Sequence, residues 1–129
     1  GGVEERLMLV HHHGVNGGRM SLSRMVELLA TNPAKLLGLH PRKGTLAVGA
    51  DADLVIFDPE REVTLSAAGL HSRSDHTIYE GEVVRGAPES VMVRGELVVH
   101  RGALVAPAGW GEFVPRERAR PWWNTSVAR

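Results

Sequence analysis

Apolar positions recur at helical intervals through the first forty residues and at strand-like intervals afterwards. Val3, Leu7 and Val10 follow i, i+4, i+7, which predicts a helix over Val3–His13. Glu4 and Glu5 fall in its first turn, where the helix dipole favours negative charge, and Gly14 suits the left-handed position after its end. Ser21 is a good N-cap for a second helix whose apolar face is Leu22, Met25, Val26 and Leu29. That helix is expected to stop near Thr31, because Pro33 biases Asn32 away from the α region. Pro33 then opens a short third helix, Pro33–Leu37, closed by Gly38. Beyond residue 42 the period changes. Leu54-Val55-Ile56-Phe57 is a continuous apolar run of strand length, stopped by Asp58-Pro59, and reads as buried on both faces. Val63-Thr64-Leu65 reads as a short strand. Val91-Met92-Val93 and Leu97-Val98-Val99 flank Arg94-Gly95-Glu96 as a hairpin. Ser66–Pro88 reads as less regular, and the stretch from Pro107 onward, rich in Pro, Arg and Trp, as an extended tail.

Composition narrows the class. The chain has 129 residues, 15 Lys+Arg against 15 Asp+Glu, and no cysteine. Zero net charge speaks against a nucleic-acid partner and a polybasic membrane patch. Lack of cysteine removes disulfides and cysteine-ligated zinc. No apolar run approaches the roughly 18 residues of a membrane span, and the opening Gly1-Gly2-Val3-Glu4-Glu5 has no signal-peptide pattern, so a cytoplasmic location is expected. The length is far below the roughly 250 residues of a complete (β/α)8 barrel.

Several clusters could carry chemistry. His11-x-His13 has the spacing for two metal ligands on one strand, but no third ligand accompanies it. The three histidines also suit the C-terminal dipole of the first helix, and that structural role is expected. Asp51 and Asp53 could form an acid/base pair, yet beside Gly49 they read as turn residues bonding their own backbone. His71, Asp75 and His76 lack a nucleophile in a suitable context, since Ser72 and Ser74 read as loop serines. Arg116–Arg120 with Trp122-Trp123 reads as a subunit contact rather than a base-stacking surface. Asn124-Thr125-Ser126 matches a glycosylation triplet with no export signal beside it. Walker, GxGxxG, GxSxG and HExxH patterns do not occur. No catalytic residue and no metal ligand are therefore assigned within the chain.

Longer patterns are more specific. Thr31-Asn32-Pro33-Ala34-Lys35-Leu36-Leu37-Gly38-Leu39, followed by Arg42-Lys43-Gly44-Thr45-Leu46-Ala47-Val48-Gly49-Ala50-Asp51-Ala52-Asp53-Leu54-Val55, closely resembles the C-terminal region of the amidohydrolase superfamily. Gly2-Val3-Glu4-x-Arg6-Leu7, Ser74-Asp75-His76-Thr77-x-Tyr79-Glu80-Gly81 and Val91–Val99 point to its dihydropyrimidinase/D-hydantoinase branch, with His76 where the branch usually has an aromatic. The resemblance covers roughly residues 1–115. It implies an α+β piece of an α/β enzyme: residues 1–40 as the C-terminal helical edge of a (β/α)8 barrel, 41–106 as part of a small β-sandwich, and 107–129 as a tail reaching another subunit of a homo-oligomer, a dimer or tetramer.

Complete members of the branch open the ring amide of cyclic ureides, using two zinc ions bridged by hydroxide. The resemblance places their ligands (an His-x-His, a carboxylated lysine, two further histidines and an aspartate) upstream of Gly1. Neither Lys35 nor Lys43 matches the ligand lysine. Gly1 and Gly2 match the trailing edge of the loop that holds the substrate ring. The expectation is a C-terminal fragment of a cyclic-amide hydrolase, inactive and zinc-free by itself. The alternatives are a non-catalytic scaffold like the collapsin response mediator proteins, which share the architecture, and a small metal-binding protein built on His11 and His13.

Overall fold

The structure is a computed structural model and describes residues 2–117. Gly1 and residues 118–129, with Trp122, Trp123 and the Asn124-Thr125-Ser126 triplet, lie outside them. It is an α+β arrangement: helical segments first, then one antiparallel sheet.

Helix α1 (Arg6–Leu9) runs without a break into π-helical turns over Val10–Asn16. It therefore starts and ends later than the apolar spacing predicts. Gly14 is not its cap. It lies inside the wide turn, where a Cβ would press on Met20 Cε at 3.0 Å, and Gly18 takes the left-handed conformation with φ 69°. The buried positions are Met8, Leu9, His11 and Gly14 rather than Val3, Leu7 and Val10, and Val3, ahead of the helix, is exposed.

Helix α2 (Leu22–Val26) is capped as expected, the Ser21 hydroxyl accepting the Arg24 N–H at 3.2 Å. The expected stop near Thr31 is absent. A π-helical turn (Glu27–Thr31) leads directly into α3 (Asn32–Leu36), and Asn32 is helical at φ −67°, ψ −44°. Proline lacks a donor and crowds the carbonyl one turn back. The wider π turn gives that carbonyl room, so Pro33 is absorbed rather than breaking the rod. Gly38 ends it with φ 69°. Leu39 N–H reaches the Ala34 carbonyl at 2.8 Å and Gly38 N–H the Lys35 carbonyl at 3.2 Å, the paired bonds of a Schellman cap.

The sheet contains β1 (Leu54–Thr64), β2 (Val83–Val93), β3 (Glu96–His100) and β4 (Ala103–Leu104), neighbours in sequence order. Asp58-Pro59 does not stop β1. Asp58 Oδ1 accepts the N–H groups of Glu60 at 2.9 Å and Arg61 at 3.2 Å, which folds the strand into a bulge. Pairing resumes at Glu62↔Arg85. Pro59 sits where no ladder bond is required, so Leu54–Phe57 and Val63-Thr64 belong to one strand. β2 likewise begins at Val83, well inside the stretch read as irregular.

The predicted hairpin at Gly95 is present, with Arg94 at φ 52° and Gly95 at φ 84°. A second such turn, Arg101-Gly102, joins β3 to β4. Both have the two positive-φ residues of a type I′ turn.

Met8 and Leu9 of α1 pack on Leu65, Val84 and Ala87, flanked by Val63 and Tyr79. The fully buried Leu65 and Val84 side chains each contribute about 1.5–3 kcal/mol. The Leu54–Phe57 run is not buried on both faces, since Val55 is 49% and Ile56 53% exposed. Among the described residues no helix is long and apolar enough to cross a membrane.

Candidate functional site

The segment before α1 is held by its two acids, which act on opposite sides. Gly2 takes φ 89°, a conformation open to glycine. Glu5 is 1% exposed, and its carboxylate accepts the Thr77 hydroxyl at 2.7 Å. That hydrogen bond, with Glu5's own N–H and the Gly2 backbone, outweighs burial and holds the carboxyl below its ordinary range. Glu4 turns outward. Its Oε2 accepts the His71 N–H at 2.9 Å, and its Oε1 lies 2.7 Å from His71 Nδ1. The far ring nitrogen of His71 meets the Gly102 carbonyl at 3.0 Å. The Glu4 hydrogen bond raises the imidazole's pKa against the effect of burial. Of the substrate-loop pair, Gly2 thus lies at the head of an anchored strap, and Gly1 is outside the described residues.

The histidine triplet bonds to β2. His11 Nδ1 donates to the Arg85 carbonyl at 2.9 Å, and His12 Nδ1 accepts the Arg85 N–H at 3.0 Å. His13 Nε2 lies 2.6 Å from Glu82 Oε1. Asn16 adds a bond to the Arg85 carbonyl at 3.0 Å. These cross-element hydrogen bonds come in addition to the helix dipole that the sequence implied, since His13 falls in the last turn of the helical segment. Gly86 makes room for the buried His11 ring: a Cβ there would lie 2.6 Å from Cε1 and closer still to Nδ1.

Asp51 and Asp53 do more than bond their own turn. Lys43 Nζ lies 2.8 Å from Asp51 Oδ2 and is also bonded to Asp53. Arg42 Nε meets Asp51 at 2.9 Å, and Asp53 Oδ1 accepts the Arg94 N–H at 2.9 Å. Burial disfavours the Lys43 charge, but the two carboxylates outweigh it and raise the pKa. Asp51 is lowered chiefly by Lys43. Asp53 is pushed up by burial and more strongly down by Lys43 and the Arg94 N–H. The cluster ties the linker to the β2–β3 hairpin.

His76 pairs with its neighbour Asp75 at 2.9 Å on an exposed loop, while His71 belongs to Glu4. The Ser74 hydroxyl donates to the His76 carbonyl at 2.9 Å and lies 3.5 Å from His76 Nδ1, the same ring nitrogen that faces Asp75. Among the described residues no three His, Asp or Glu side chains are grouped to hold a metal. Sequence reading missed the Glu4–His71–Gly102 contact, because its members are far apart in the chain and Glu4 already had an explanation in the helix dipole. An apolar cavity of about 430 Å³ lies beneath it, lined by Leu7, Met8, Val55, Val91, Val99 and Leu104, with Glu4, His71 and Gly102 at its polar side.

The chain belongs to the amidohydrolase family, which residues 7–85 match. It is 48% identical over 117 residues to the D-hydantoinase of Ralstonia pickettii, across 91% of this chain and 25% of that protein. It is 42% identical over 116 residues to the dihydropyrimidinase of Rattus norvegicus, across 90% of this chain and 22% of that one. A solved D-hydantoinase structure superposes with a TM-score of 0.87 at 47% identity, over 92% of this chain and 26% of its own. The chain spans about a quarter of the length of the curated relatives it matches.

Proposed function

We propose that this chain is the C-terminal part of a metal-dependent hydrolase that opens the ring C–N bond of cyclic ureides, dihydropyrimidines or hydantoins. The observation that carries the reading is the 0.87 TM-score at 47% identity to a D-hydantoinase over nearly the whole chain. In this reading residues 1–40 edge the catalytic barrel, 41–106 form part of a β-sandwich, and 107–129 reach a second subunit of a cytoplasmic homo-oligomer. Gly1 and Gly2 close the loop that holds the ring.

The two zinc ions of the complete enzyme are held by residues outside this chain. Among the described residues no three His, Asp or Glu side chains are grouped to fit them. Lys43 is committed to Asp51 and Asp53, and His11, His12 and His13 are each bonded to β2 or to Glu82 beside it. The chain's own contribution is to anchor the strap that begins at Gly2 and to brace it against the sheet. No catalytic step is carried by its side chains.

The test is to express the full-length protein and the 129-residue chain separately and to assay hydantoin and dihydrouracil opening with zinc present. Ring opening by the full-length protein alone supports the proposal. A zinc-loaded full-length protein that opens neither ring overturns it in favour of a non-catalytic scaffold. Turnover by the short chain that depends on His11 or His13 overturns the assignment of the metal ligands.

A further inference from the structure

His71 has an oxygen acceptor against each ring nitrogen: Glu4 Oε1 at 2.7 Å from Nδ1 and the Gly102 carbonyl at 3.0 Å from Nε2. A carboxylate and a carbonyl can only accept. A neutral imidazole carries one N–H, so it leaves one ring lone pair facing an oxygen lone pair. Only the imidazolium donates on both sides. Its main-chain N–H binds the second Glu4 oxygen, so three bonds converge on one residue.

We propose that protonated His71 is a clamp that ties three separate segments together: the strap before α1, the loop after the turn Ala67–Gly69, and the β3–β4 turn. Deprotonation releases the β3–β4 turn: the one N–H left on the ring stays with the Glu4 carboxylate, which the main-chain N–H also holds, and the Gly102 carbonyl loses its donor. All three contact residues also line the apolar cavity, so the clamp forms part of its wall. Glu4 comes from the strap, Arg61 of β1 lines the same cavity, and Arg101 of the adjoining turn lies 3.6 Å from Glu89. Among the described residues Glu4 is the only carboxylate bonded to the ring, and it favours the charged form. The sign follows: the contact is complete below the ordinary histidine value of 6.5 and is lost as pH rises through the elevated folded value.

The test uses the full-length protein with ¹³Cε1-labelled histidine, the His71 resonance being assigned by its loss in His71→Gln. Peptide-level hydrogen exchange is followed across the same pH range after correction for intrinsic rates. The proposal expects a His71 midpoint above 6.5 and a loss of amide protection around His71 and residues 100–104 as pH passes that midpoint. Glu4→Gln should bring the midpoint down and the loss of protection with it. A midpoint at or below 6.5 in the unsubstituted protein overturns the proposal, as does protection that ignores the His71 charge. The unsubstituted protein decides the matter even if Glu4→Gln does not fold.

Discussion

Gly86 and Glu5 show how single residues fix the join between the helical part and the sheet. Gly86 sits at φ 106° with the His11 ring pressed against it, so a methyl there meets both backbone strain and overpacking. Gly86→Ala should cost about 3 kcal/mol or more in urea unfolding. In a His11→Ala background the same change should cost clearly less, because the ring that clashes is gone. Equal costs in the two backgrounds would show that the contact does not govern the site. Thr77→Val leaves the buried Glu5 carboxylate short of a donor and should cost about 1–3 kcal/mol at neutral pH. Glu5 has a lowered folded pKa, so its stabilisation is present above the ordinary 4.5 and fades as pH falls through the folded value. The gap between Thr77→Val and the unsubstituted protein should therefore narrow on acidification. A gap constant from pH 7 to pH 3 would sink this account.

Among the elements, the hairpins and caps were the most legible, because their signals are local. Gly95 requires its turn, Ser21 caps α2, and Gly38 ends α3. The helix boundaries and strand lengths were not, since tertiary bonding decides them. Asn32-Pro33 reads as a break, yet the preceding π turn absorbs the proline. Asp58-Pro59 reads as a stop, yet the aspartate's own oxygen turns it into a bulge. The histidine triplet was legible as structural, but its partner Arg85 lies more than seventy residues away, and nothing local announces it.

The turn that pattern reading missed offers a direct check. Arg101 holds φ 49°, a conformation unfavourable for arginine and natural for asparagine before glycine. Its side chain makes one loose, exposed pair with Glu89, worth little. Arg101→Asn should stabilise the protein by about 0.5 kcal/mol, visible as a raised denaturation midpoint. A lowered midpoint would mean that the Glu89 pair matters more than the backbone.

At the scale of the whole molecule, the sheet is unbalanced. Val55↔Val91, Val91↔Val99 and Val99↔Leu104 are successive cross-strand partners, so a single row of aliphatic side chains crosses all four strands. The row lines the apolar cavity, and its ends are open: Val55 is 49% and Leu104 65% exposed. A contiguous apolar face of this kind marks a surface made to be covered or a source of association. It fits a chain that spans about a quarter of its relatives' length. The 129-residue chain purified by itself should therefore bind the dye ANS and associate with rising concentration. Val55→Thr with Leu104→Thr keeps the strand shape while making both open ends polar, and should reduce the dye signal and the association together. The same pair in the full-length protein should cost stability, because there the row would be buried against the rest of the polypeptide and the new hydroxyls would need partners. If the short chain stays monomeric and dye-free, this face is self-sufficient, and the view of the sheet as one part of a larger core fails.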